Sequence, residues 1–223
     1  MKISEIEEKM IDGEFSEEIF EQFVKALSRV PKTLRMQHCY TTAYSMREKD
    51  PENALRLINY ALETFEGTAL DIKRSLYNLG GIYEFTGDYK NANISYKKSL
   101  DAVPENTRES HTPSIAMDIL RTELHCCNFC YSDYINELYN ALLKADEFTA
   151  SFRRFIFYRS VTEIIIAKKN EDTKLHKTAF DNAMKALDGS KKTGMDMLLL
   201  RHKFEDEAGA TKEALEFLRN NGI

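Results

Sequence analysis

Three stretches of the chain repeat one spacing of small and large residues: Ala54, Ile58, Ala61 and Leu62; Ala92, Tyr96, Ser99 and Leu100; Ala179, Ala183, Ala186 and Leu187. Steps of four, three and one place each set on a single face of a helix. Alanine or serine at the small positions lets a neighbouring helix approach closely, and the large residues fill the space beyond. Leu138, Leu142 and Ala145 form a looser copy, and Ala214 with Leu218, after Gly209, a partial terminal one. Composition points the same way. With 9 Gly and 4 Pro in 223 residues, the chain lacks the turn every 8–12 residues that sandwiches and barrels need. The expected fold class is all-α.

The segment Ser75 to Pro104 carries a complete hairpin. Leu76, Leu79 and Tyr83 share one helical face, Gly87 ends that helix in the left-handed conformation, and Asp88 caps the next. Ala92 and Ser99 face back to the first helix, and Gly80 is small for the same steric reason. Start signals recur: Asp50-Pro51 is a cap followed by proline at the first helical position, and Asp172 and Thr211 stand at comparable places. Each hairpin has an apolar face that it cannot bury alone, so neighbours must stack. The expected organisation is an acidic N-terminal helix pair over residues 1–31. A helical solenoid follows over residues 32–223, with about four hairpins plus C-terminal capping helices.

Leu76, Leu79-Gly80, Tyr83, Ala92, Tyr96 and Pro104 resemble the 34-residue pattern of the tetratricopeptide repeat family. Residues 34–67 follow it in part, with Tyr40 and Tyr44 in pattern positions and Thr41 in place of the glycine; in residues 113–223 only second helices are recognisable. The resemblance implies a right-handed α-solenoid whose concave groove, lined by first helices, takes a short peptide or an extended protein segment. More narrowly, the run Leu34 to Leu100, with Ala61-Leu62-Glu63, resembles the peptide-sensing repeat domain of the intracellular quorum-sensing receptors of Gram-positive bacteria and their phages, the arbitrium receptors of phage lysogeny among them. That likeness implies a regulator of a transcriptional or lysogeny decision. Such receptors carry an N-terminal DNA-binding helix-turn-helix or a helical bundle. Residues 1–30 here are acidic and hold no Arg or Lys cluster before Arg29, so the chain departs from the family where that output region would be.

Groove-facing residues should lie between the core positions of first helices. In residues 69–86 these are Arg74, Tyr77, Asn78, Gly81 and Glu84. The resemblance assigns Asn78 to the backbone amide of a ligand, a task that suits a side chain able to donate and accept at once; the alternative is an ordinary exposed asparagine. The equivalent earlier strip holds Arg35, His38, Cys39 and Thr42. Arg35 and Arg74 fit a carboxylate clamp, or else are solvated or salt-bridged. Arg153, Arg154, Tyr158 and Arg159 read either as a second wall of a peptide pocket or as core packing.

Several classes are disfavoured. A net charge of −5 leaves no basic excess for nucleic-acid phosphates. No apolar run reaches 18 residues and the start lacks a signal peptide, so no membrane association and a cytoplasmic location are expected. Reduced thiols follow from Cys39, Cys126, Cys127 and Cys130, three of them crowded together. His125-Cys126-Cys127-Asn128-Phe129-Cys130 invites a zinc reading, yet no second ligand pair exists, so buried thiols rather than a metal are expected. The sequon Asn93-Ile94-Ser95 lies in a helical pattern. No nucleophile elbow, phosphate-cradling loop or His-Glu-x-x-His is present. A non-enzymatic module without cofactor is therefore expected.

Residues 1–25 carry eight acids against three lysines, a deficit equal to the net charge of the whole chain. They form either an acidic docking arm or a solvated helix face. The alternative function is a scaffold or inhibitor that binds a folded protein partner through this acidic or outer surface. Met195 to Leu200 and Ala214 to Leu218 are apolar enough to cap the array or to form a homodimer.

Overall fold

A computed structural model of the chain describes residues 2–102, 112–126, 133–143 and 150–190. The described residues are all-helical, with no strand. Ten helices are present among them: α1 (Ile3–Ile11), α2 (Glu17–Leu27), α3 (Lys32–Met46), α4 (Pro51–Thr64), α5 (Ala69–Phe85), α6 (Tyr89–Asp101), α7 (Thr112–Cys126), α8 (Asp133–Leu143), α9 (Ala150–Lys169) and α10 (Thr173–Ser190). The chain divides into two compact units, Met1–Ile115 and Ala116–Ile223.

In the first unit, helices pack in sequential pairs, α1 with α2, α3 with α4 and α5 with α6; α3 also touches α1 and α5, and α4 touches α5. Four of these helices, α2, α4, α5 and α6, begin where a side chain takes an otherwise unpaired N–H, Ser16 serving α2 by accepting from Ile19 N. Asp50 accepts from Asn53 N ahead of Pro51, Thr68 from Asp71 N, and Asp88 from Asn91 N. Gly87 adopts φ 79°. Its N–H bonds Glu84 O while that of Asp88 bonds Tyr83 O, the paired closure that needs a left-handed residue. The α5–α6 contact is close: Ser99 Oγ donates to Lys73 O at 2.8 Å, and a Cβ on Gly80 would lie 2.6 Å from the Tyr96 ring.

The repeated spacing is the buried one. Ala54, Ile58 and Ala61 are fully buried on α4, as are Ala92, Tyr96, Ser99 and Leu100 on α6 and Ala179 and Ala183 on α10, while Leu62 is half-buried. One apolar core links α1 to α5, from Ile6 and Met10 through Phe23, Met46, Leu57 and Ile58 to Ile82. Burying each such large side chain is worth about 1.5–3 kcal/mol. The acidic N-terminal pair is thus part of this core. Its acids pair with basic residues further along the chain, Asp12 with Lys49 in the turn after α3 and Glu17 with Arg56 on α4.

Some positions differ from the sequence pattern. Tyr44 is 40% exposed rather than a core residue like Tyr40. On α5, Leu76 and Tyr83 are half-buried and Lys73, Ser75 and Ile82 are buried, because α5 packs against α3, α4 and α6 together. Asn93 and Ser95 of the sequon are both buried, which removes the asparagine from glycosylation.

In the second unit α9 packs against α10 and α8. Eight consecutive α9 positions, Phe155 to Thr162, are buried, so this helix has no solvent face along that stretch. Asp172 caps α10 by accepting from Leu175 N. Pro104, Cys127, Cys130, Ala145, Gly209, Thr211, the Met195–Leu200 run and the Ala214–Leu218 run lie outside the described residues, as do the side chains of Leu138, Leu142, Arg153, Arg154, Ala186 and Leu187.

Candidate functional site

Adjacent first helices are joined by polar bonds made by three of the nominated residues. His38 Nδ1 lies 2.6 Å from Glu7 Oε1, and Thr42 Oγ1 donates to the same oxygen at 3.2 Å, which ties α3 to α1. Asn78 Nδ2 donates to Tyr40 O at 3.2 Å and ties α5 to α3. Thr42 is buried, and His38 and Asn78 are half-buried. Glu7 is the member that sequence reasoning missed. The available signal was the i, i+4 pair His38 and Thr42, which faces one way with no acid on its own helix to bond.

The two proposed clamp arginines part company. Arg35 donates from Nε to Val30 O at 3.0 Å and from its terminal nitrogen to Ser28 O at 2.9 Å, closing the carbonyls that follow α2. That use occupies its fork. Arg74 is exposed and makes no ion pair among the described residues.

Next to Asn78 on α5, two tyrosines meet at a glycine and a third packs against one of them. A Cβ on Gly81 would meet Tyr44 Cε2 at 3.4 Å and Tyr96 Oη at 3.8 Å. The Tyr77 and Tyr96 rings are 5.5 Å apart, and Tyr96 Oη donates to Glu84 Oε2 at 2.8 Å. Tyr44 takes the Arg47 guanidinium 3.9 Å from its ring centroid. Tyr44 is the most exposed of the three rings, and the bare backbone of Gly81 lies beside it. Such a surface offers ring faces for apolar or cationic groups and close access to the helix.

Arg159 occupies the core-packing alternative. It is 9% exposed, donates to Asn136 Oδ1 at 2.9 Å and lies 3.2 Å from Glu163 Oε1. The Tyr139 hydroxyl is the centre of this cluster: it donates to Glu163 Oε2 at 3.1 Å, pairs with Ser160 Oγ at 3.0 Å and accepts from Asn182 Nδ2 at 3.3 Å. Burial pushes the tyrosine's ionisation up, with the Glu163 charge adding to it. The cluster links α8, α9 and α10 and is engaged within itself.

Burial, and secondarily the charge of Glu7, pushes the Cys39 thiol up to about 12, which makes it inert at neutral pH. The hydrogen bond from Arg56 holds the exposed Glu17 carboxyl below its usual range. His125 is exposed and Cys126 half-buried. Among the described residues no group of three His, Cys, Asp or Glu side chains is placed to hold a metal, and no helix is long and apolar enough to cross a membrane. No protein-family model, curated protein or solved structure matches this chain.

Proposed function

We propose that the protein is a non-enzymatic peptide-binding module of the tetratricopeptide type, a right-handed solenoid that holds an extended peptide or protein segment along α3 and α5. The observation that carries this reading is the exposed Tyr44 ring beside Gly81, backed by buried Tyr96 and flanked by half-buried Tyr77. Tyr44 is 40% exposed and lies against Gly81, where a Cβ would meet its ring at 3.4 Å, so an aromatic ring and bare helix backbone reach the surface side by side. Arg74 at one end of the α5 stripe and Glu84 at the other supply opposite charges, which favours one chain direction for a zwitterionic peptide. Asn78 keeps its acceptor oxygen for a peptide N–H while its nitrogen holds Tyr40 O. By resemblance, the biological role is that of an intracellular signal-peptide sensor of the quorum-sensing kind, acting on a partner rather than on DNA.

A random hexapeptide display library selected on the immobilised full chain supplies the probe, and calorimetry on the enriched peptides measures the affinity. Gly81→Leu fills the notch, and Tyr44→Ala removes the exposed ring. Each should weaken binding at least tenfold. Reversing Glu21 and Glu63 to lysine, on other helices, should leave it within twofold. Failure to enrich any peptide, or peptides that ignore Gly81→Leu, overturns the reading.

A further inference from the structure

A second surface lies on α2 and α4 and owes nothing to the tyrosine patch. Phe15, Phe20, Tyr60 and Phe65 form a continuous ladder, with ring centroids 5.9, 5.4 and 5.7 Å apart in succession. The first step has a local cause: Phe15 precedes the Ser16 cap of α2 and Phe20 follows four positions into the helix, the apolar staple that fixes a helix entry. The other two steps carry the ladder across to α4 and past its end. All four rings are half-buried, so each rests on the core and keeps an edge or face at the surface.

Two features specify what fits there. Arg56 lays its guanidinium 4.4 Å from the Phe20 centroid and 5.8 Å from that of Phe15 while both its terminal nitrogens bond Glu17 at 2.8 Å. The ladder therefore already accepts a cation on its outer side, and that cation is neutralised. Around it Glu18 and Glu21 on α2, Glu63 on α4 and Glu66 just beyond are all exposed; Glu21, Glu63 and Glu66 have no ion pair among the described residues. The border is acidic; Arg35 is near enough to act on the Tyr60 hydroxyl, but its guanidinium is held on Val30 O and Ser28 O. The ring separations are those of ordinary aromatic packing, so the ladder offers a run of apolar area while its acidic border sets the charge of what fits.

We propose that the ladder of Phe15, Phe20, Tyr60 and Phe65, with its acidic border, is the docking face for a basic amphipathic segment of a partner protein. Its apolar side chains lie against the rings, and flanking lysines or arginines meet Glu21 and Glu63. In a peptide-responsive protein this would be a surface for a second partner, but the docking face stands whether or not α3 and α5 bind a peptide.

The test titrates the full chain into a fluorescein-labelled 18-residue helix of leucine and lysine, amphipathic by design, and reads anisotropy. A scrambled peptide of the same composition and a leucine–glutamate version are controls. The amphipathic basic helix should bind at least fivefold tighter than the scrambled peptide, and the acidic version should not bind. Glu21→Lys with Glu63→Lys should cost at least fivefold in Kd. Glu8→Lys with Asp101→Lys, an equal change of net charge at exposed sites elsewhere, should cost less than twofold. Equal binding of ordered and scrambled peptides, equal losses in the two double variants, a loss under fivefold at the ladder, or no binding at all each overturns the proposal. Because the variants leave Tyr44 and Gly81 untouched, these outcomes are separable from failure of the peptide reading.

Discussion

Gly87-Asp88 joins α5 to α6, and Glu171-Asp172 joins α9 to α10, through the same two turn hydrogen bonds. The second helices that follow each begin on a capping aspartate and each bury their small-residue face, Ala92 with Tyr96 in one and Ala179 with Ala183 in the other. The first helices are opposites. Residues of α5 at Arg74, Tyr77, Asn78, Gly81 and Glu84 stay at least partly open, whereas α9 is buried without a break from Phe155 to Thr162 and takes Arg159, Ser160 and Thr162 inside with it. Turn and second helix specify the pairing, and the first helix is free to be a surface or an interior. The stripe on α5 is open to solvent; on α9 Arg159, Ser160 and Glu163 are buried or half-buried and bonded to Asn136 and Tyr139.

The sharpest way to break this contrast is to truncate one arginine from each hairpin. Arg159→Ala leaves Glu163 and Asn136 short of a partner in a nearly dry setting, and breaking such a pair costs about 3–5 kcal/mol. Arg74→Ala removes an exposed side chain with no ion pair and should move stability by about 0.5 kcal/mol or less. Denaturant midpoints measure both, and hydrogen exchange should place the Arg159→Ala loss in α8–α10. Equal effects would mean that α9 is no more an interior helix than α5.

A smaller effect tests the close approach that the two hairpins share. Gly80→Ala puts a methyl 2.6 Å from the Tyr96 ring, which is buried and tethered through its hydroxyl to Glu84, so it cannot swing aside cheaply. Overpacking of this kind costs about 1–3 kcal/mol, and alanine's advantage over glycine in a helix, about 1 kcal/mol, offsets part of it. A midpoint unchanged or raised would show that α5 and α6 have room to separate.

What could be read in advance follows the same division. The small-and-large spacing of α4, α6 and α10, the Asp50, Asp88 and Asp172 caps and the Gly87 turn were legible because each is a local rule about one helix or one turn. The interior of α9 was not, since a helix buried on every side shows no amphipathic period from which to choose between wall and core. The site was legible only as a strip. That Arg35 closes the end of α2, that Glu7 holds His38 and Thr42, and that Asn78 bonds Tyr40 O all depend on which helices become neighbours. Spacing along one helix does not encode its neighbours. Tyr44 was read as core from its pattern position, but it stands opposite a glycine that offers no side chain to bury it.

The smallest expected effect comes from the one place where the two turns differ. Glu171 adopts φ 55° where its counterpart Gly87 adopts φ 79°. In that region a Cβ crowds the following carbonyl at a cost of about 1–2 kcal/mol, which glycine escapes. Glutamate accepts the cost because the turn still forms both of its bonds, Glu171 N to Lys168 O and Asp172 N to Ala167 O, and Asp172 still caps α10. Glu171→Gly should therefore stabilise the second unit, by about 1 kcal/mol once the extra freedom glycine has in the unfolded chain is counted against it. Gly87→Ala should destabilise the first unit by a similar amount. The pair of midpoints, read with opposite signs, checks that one turn geometry serves both hairpins. A stabilisation at position 171 without the loss at position 87 would mean that the α5–α6 turn relaxes into another conformation when its glycine is removed.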